Sequence, residues 1–300
     1  MSGKVGSTSP GAKRLRHWLL GAATVALAPT LSIAPLQAAG LSEGNGIATG
    51  NTSIAISDPA GTAATASGNG SVAIGTNSMA TGTNTSVLGN GAAASGAGDT
   101  VVGFGSGAAG LSSSAFGAGA MATGDDSAAF GQSSTASGTA AIAAGLDSTA
   151  SAASGIALGV GATASGTGGD STAIGAAAMA TNTNSLAIGT NVQATGSNST
   201  SLGTAVFATG DFSFGGGFFT QASGTNSLAL GDNVSASGAS STALGDTSIC
   251  RSPCIISRRI RRRVMSSTAP TRWVRSAALR LRCAPRNHPL RQRDRSMTEK

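Results

Sequence analysis

Residues 183–196 read Thr-Asn-Ser-Leu-Ala-Ile-Gly-Thr-Asn-Val-Gln-Ala-Thr-Gly, and residues 225–238 read Thr-Asn-Ser-Leu-Ala-Leu-Gly-Asp-Asn-Val-Ser-Ala-Ser-Gly. The likeness extends far beyond this pair. Glycines at 75, 89, 103, 117, 131, 145 and 159 are fourteen apart, and after one step of sixteen the spacing resumes at 175, 189, 203, 217, 231 and 245. Self-similarity at a fixed period marks a repeat architecture. Before each glycine stands a large apolar residue: Ile74, Leu88, Val102, Phe116, Phe130, Leu158, Ile174, Ile188, Leu202, Leu230 and Leu244, with Ala144 and Gly216 as exceptions. Two residues before it a small residue recurs, usually Ala. Five residues after it Ala recurs from Ala80 to Ala236, followed by Ser or Thr and then Gly in most registers.

A fourteen-residue unit is too short for a helical hairpin and suits two five-residue strands joined by Gly, Asn and Ser turns. Strand alternation puts Leu186 and Ile188 on one face and Ala187 on the other. The reading is an all-β parallel β-solenoid of 14-residue coils, a rod of roughly 60 Å for thirteen coils. Its core column is expected to be Ile74, Leu88, Phe116, Phe130, Leu158, Ile174, Ile188, Leu202, Leu230 and Leu244. The alanines Ala73, Ala115, Ala129, Ala157, Ala173, Ala187 and Ala229 are then expected on the outer face, packed against another copy of the chain. A disordered Gly/Ser/Ala linker has no reason to keep such a column in register, and collagen needs glycine at every third position.

The formal net charge of +7 is confined to the ends. Four cations precede residue 18, the other fifteen lie at 251 or later, and residues 40–249 carry ten carboxylates with no Lys, Arg or His. Such a stretch lacks the clustered cations that grip phosphates, so no nucleic-acid partner is expected. Residues 1–39 read as a secretory signal peptide: Lys13-Arg14-Leu15-Arg16-His17, an apolar run from Trp18 to Ala28, and a cleavage region around Ala38 and Ala39. An amphipathic helix is the alternative, weakened by the absence of a polar face in residues 18–28.

The repeats resemble the head repeats of YadA-like trimeric autotransporter adhesins. The resemblance rests on the two units quoted and on Asn69-Gly-Ser-Val-Ala-Ile-Gly-Thr-Asn-Ser-Met-Ala-Thr-Gly82, and covers about residues 43–247. It implies a left-handed parallel β-roll, a homotrimer, display at the bacterial cell surface, and non-enzymatic binding of host matrix proteins or cell-surface receptors. The family also carries a coiled-coil stalk and a β-barrel anchor, which this sequence is expected to lack. Position 250 should be the next Ala and is Cys, so the head is expected over 40–249. Residues 250–300, with fourteen Arg, are expected to be a disordered or irregular basic tail that is out of frame or foreign to the family.

No catalytic constellation is expected. The repeats have no imidazole for a triad or a zinc site, and their Asp residues fall at different registers, as turn formers do. No metal or cofactor is therefore expected. Phe212, Phe214, Phe218 and Phe219 read either as an exposed ligand patch or as repacking around Gly215 and Gly216, the second being favoured. Two rival functions remain beside adhesion: an ice-binding solenoid, disfavoured because residues four before each glycine mix Ser, Thr, Asp and Ala, and a purely structural spacer.

Overall fold

A computed structural model describes residues 40–251 and the backbone of residues 255–257. The expected signal peptide, with Ala38 and Ala39, and the remainder of the basic segment lie outside the described residues. With the repeat glycine as position 0, each coil follows one plan. Positions −3 to −1 form a strand such as Val72–Ile74, which lengthens to five residues from Leu186–Thr190 onward. Positions +4 and +5 form a two-residue strand such as Met79–Ala80. The two equal five-residue strands expected per coil are therefore replaced by one longer and one very short strand, because the tight turns consume the other positions.

Among the described residues there is no helix. Sixteen strands of the first kind stack into one parallel sheet and fifteen of the second into another, each paired with its neighbours one coil away. Pairing is in phase with the repeat: Leu186, Ala187 and Ile188 lie opposite Thr200, Ser201 and Leu202, and Gln193 opposite Phe207. At about 4.8 Å per strand the rod is about 70 Å long. The extra length comes from the coils that begin at Leu41–Glu43, whose Gly44 stands outside the fourteen-residue series, and at Ile54–Ile56, with Ser57 in the glycine's place, and from Ile255–Ser257. At the far end Ile249–Cys250 still pairs with Ser235–Ala236, and Ile255–Ser257 with Thr242–Leu244. The ladder thus outlasts the break in the repeat, since pairing uses backbone groups that any residue supplies.

The turns explain the asparagines. Positions +2 and +9 take left-handed backbone: Asn77 (φ 57°), Asn84 (56°), Asn184 (51°), Asn191 (53°), Asn226 (55°) and Asn233 (52°). Asn, Asp and Gly tolerate this region at least cost. Position 0 needs glycine for two reasons: Gly189 has φ 134°, and a Cβ there would run into the Gly203 carbonyl of the next coil.

The structure reverses the expected inside and outside. Ala73, Ala115, Ala129, Ala157, Ala173, Ala187 and Ala229 are wholly buried inside the coil. Ile74, Phe116, Leu158, Ile174, Leu202 and Leu244 are only half-buried on the outer face, and Leu88, Phe130, Ile188 and Leu230 are exposed there. The bore is the cause. The two sheets of a fourteen-residue coil lie so close that Val87, Val101, Val192, Val206 and Val234 are the largest fully buried side chains, and overfilling such an interior is costly. The interior takes small residues at −4, −2, +3, +5 and +7, and the large ones must stand outside.

The inward position −4 is a polar column. Ser71 Oγ donates to the Gly68 carbonyl at 2.6 Å and Ser185 Oγ to the Asn182 carbonyl at 2.7 Å, tying the turn to the strand that follows. Asp99 occupies the same column, fully buried. Its carboxylate accepts from Gly96 N at 2.7 Å, Ser113 N at 2.9 Å and Ser113 Oγ at 3.0 Å. Three donors satisfy a carboxylate that has no cation within residues 40–249.

Candidate binding surfaces

Because the bore admits only small side chains, the longer-strand sheet has an outer face built from positions −3 and −1. Two columns result: a mixed one at −3, where Val72, Ile142, Ile156, Leu186, Phe214 and Leu228 share the position with Ser86, Thr100, Ser114, Ala128, Thr172, Thr200 and Thr242, and the Ile/Leu/Val/Phe column at −1. Ile188, Leu230 and Leu88 are 37%, 46% and 50% exposed in the single chain. Phe116 and Phe130, one coil apart, stack with ring centroids 5.2 Å apart and planes 8° from parallel. Sequence reasoning found the −1 column but assigned it to the core. It placed Leu186 of the −3 column on the face of Ile188 by i, i+2 alternation but carried no other −3 residue into its account.

The shorter-strand sheet presents a different outer face. Position +6 is a rank of hydroxyls that mixes Thr81, Ser95, Thr123, Ser137 and Thr195, while +4 is broken by Met79, Met121, Met179, Gln193 and Phe207. The residues at −4, used above to judge a Thr rank, are interior. The exposed columns that replace them are no more regular, so no flat Thr lattice forms.

At the corners the acids serve as turn residues. Asp126 and Asp147 adopt left-handed φ, Asp58 Oδ1 accepts from Ala60 N, and Asp125 Oδ1 and Asp211 Oδ1 accept from Leu111 N and Ser197 N of adjacent coils at 2.9 Å. Among the described residues no three His, Cys, Asp or Glu side chains group as metal ligands.

The favoured reading of the phenylalanines is overturned for three of the four. Gly215 is small because a Cβ there would stand 2.7 Å from Val206 Cγ1, and Gly216 because Phe214 and Leu230 cover it. Phe214 therefore repacks as expected. Phe212, Phe218 and Phe219 instead stand outside, 60%, 48% and 57% exposed: Phe212 and Phe219 sit in turns, and Phe218 ends the strand Phe214–Phe218 at the corner, with its side chain outside the bore. Phe104, Leu146 and Val160 at +1 and Leu111 at +8 are also exposed; large apolar residues stand at +1 in only four of the thirteen coils, too few to mark a column.

A family model described as YadA head domain repeat (2 copies) matches residues 48–78, 80–106, 108–134, 136–162, 167–191 and 222–248, more than half of the chain. A search of curated proteins finds no match.

Proposed function

The chain belongs to the YadA head-repeat family, and on that premise we propose that its rod is the trimeric head of a bacterial surface adhesin that binds host matrix proteins or cell-surface receptors. The family implies an adhesin-type role, and a β-solenoid of this kind is typical of non-enzymatic structural or adhesive proteins. Among the described residues no helix is long and apolar enough to cross a membrane, which leaves β-barrel spans aside.

The observation that carries the assembled state is the outer face of the longer-strand sheet. Monomers rarely leave contiguous apolar patches beyond a few hundred Å². The −1 column, about 5 Å wide along a rod of about 70 Å, gives roughly 350 Å², and the apolar −3 residues widen it in six coils. Burying each exposed Leu, Ile or Phe contributes about 1 kcal/mol or more, and summed over the coils of facing columns this matches or exceeds the cost of association. The interface therefore runs through Ile188 and its column rather than through Ala187 and its own.

Three identical rods present every outward feature in triplicate, so many weak contacts act together. The test is binding of the full chain to surfaces coated with purified matrix proteins or with host cells. Saturable binding is expected, at least tenfold weaker in a variant that no longer assembles. Assembly with no binding to any of them would make the rod a spacer and refute the adhesive reading.

A further inference from the structure

We propose that the corner carrying Phe218, Phe219, Asp232 and Asp246 is a receptor for cationic side chains, Arg or Lys, of a basic partner segment. The register builds the site. Phe218 pairs with Asp232 and Asp232 with Asp246, so one aromatic and two carboxylates follow each other along position +1 at steps of about 4.8 Å. All three are exposed. The Phe219 ring stands edge-on to the Phe218 ring, centroids 4.4 Å apart and planes at 85°. The exposed ring pair thus adjoins a row of negative charge along the same column.

Charge selects this occupant, and two further features set the aromatic half of the corner apart. Residues 40–249 contain no Lys, Arg or His, so within that stretch no cation neutralises Asp232 or Asp246. A cation over an aromatic face beside carboxylates satisfies both at once. Phe219 also holds left-handed φ at 48°, where the same position in adjoining coils is Ala205 and Asn233. A bulky residue in that region strains the backbone, and the inference from such strain runs toward function. Finally, the family match passes over residues 192–221, where Phe207, Phe212, Phe214, Phe218 and Phe219 all lie. Asp232 and Asp246 lie within the matched segment 222–248, so only the aromatic half of the corner falls outside the family match.

This deepens the adhesive reading by giving the chemistry of one partner, and it is read separately from adhesion. The probe is a synthetic peptide alternating Gly and Arg, with Gly-Lys and Gly-Glu peptides beside it, titrated against the full chain by surface plasmon resonance. The two basic peptides should bind and the acidic one should not. Phe219→Asn restores the residue found at 191 and 233, so it should fold at least as stably while binding the Arg peptide severalfold, about fivefold, more weakly. Asp232→Asn with Asp246→Asn should weaken it comparably. Asp125→Asn with Asp126→Asn removes equal charge elsewhere on the rod and should leave binding within about twofold. Absence of binding to the wild type, unchanged binding in Phe219→Asn, or equal losses from the two aspartate pairs would overturn the proposal. Matrix adhesion that persists when the peptide fails would leave the adhesive reading standing and dispose of this corner alone.

Discussion

Ala187 is wholly buried inside the coil, while Ile188, the next residue, stands 37% exposed on the outside. The pair separates two kinds of damage. Ala187→Glu forces a charge into a bore that holds nothing larger than valine, and unpaired burial costs several kcal/mol. It should abolish the β signal in circular dichroism. Ile188→Glu places its charge on the outer face and should keep that signal while lowering the sedimenting mass. If the two variants behave alike, the assignment of inside and outside fails.

The 2.7 Å approach between Val206 Cγ1 and a Cβ built on Gly215 predicts coupling. Gly215→Ala alone should cost about 1–3 kcal/mol by overpacking. In the background of Val206→Ala, which vacates the space, it should cost little. A double-mutant cycle on thermal unfolding should then give an interaction of about 1 kcal/mol or more. Strict additivity would count against a tightly filled bore.

Asp99 should be replaceable by the residue that usually occupies its column. Asp99→Ser retains a small hydroxyl side chain, as at Ser71 and Ser113, and should shift the unfolding midpoint by only a few degrees. Asp99→Ala strands the Gly96 and Ser113 N–H groups, at about 1–3 kcal/mol for each buried group left unpaired, while Ser113 Oγ keeps the Gly110 and Ala122 carbonyls. A midpoint for Asp99→Ala equal to that of Asp99→Ser would show that these hydrogen bonds contribute nothing.

Phe212, like Phe219, holds left-handed backbone, with φ 55°. Phe212→Asn should stabilise by about 1 kcal/mol, raising the midpoint by about 2–4 °C for a rod of this size. A fall in the midpoint would mean that the ring makes contacts worth more than its backbone strain.

Much of the fold was legible because the repeat is a backbone requirement. Glycine at position 0 prevents collision with the next coil, Asn at +2 and +9 supports left-handed turns, and alternation sets the two faces. The choice of inner face was not legible, because the sequence is apolar on both. At Leu186-Ala187-Ile188, size decides, and the limit on size is the distance between two sheets that no single coil reveals. The coils starting at Leu41 and Ile54 were missed because Ser57 stands where the position-0 glycine would be, and the next strand, Val72–Ile74, follows after eighteen residues instead of fourteen. Phe218 and Phe219 were misjudged for a related reason: aromatics near glycines resemble core filling until their corner position is known.

The central claim is that the apolar outer face of the longer-strand sheet joins three chains into one head. Sedimentation equilibrium of the full chain measures this directly. The account predicts a single species of three times the 28.6 kDa chain mass across micromolar concentrations, falling to the monomer in Ile188→Glu with Leu202→Glu while the β signal persists. A wild-type chain that sediments as a soluble, fully β-structured monomer would contradict it.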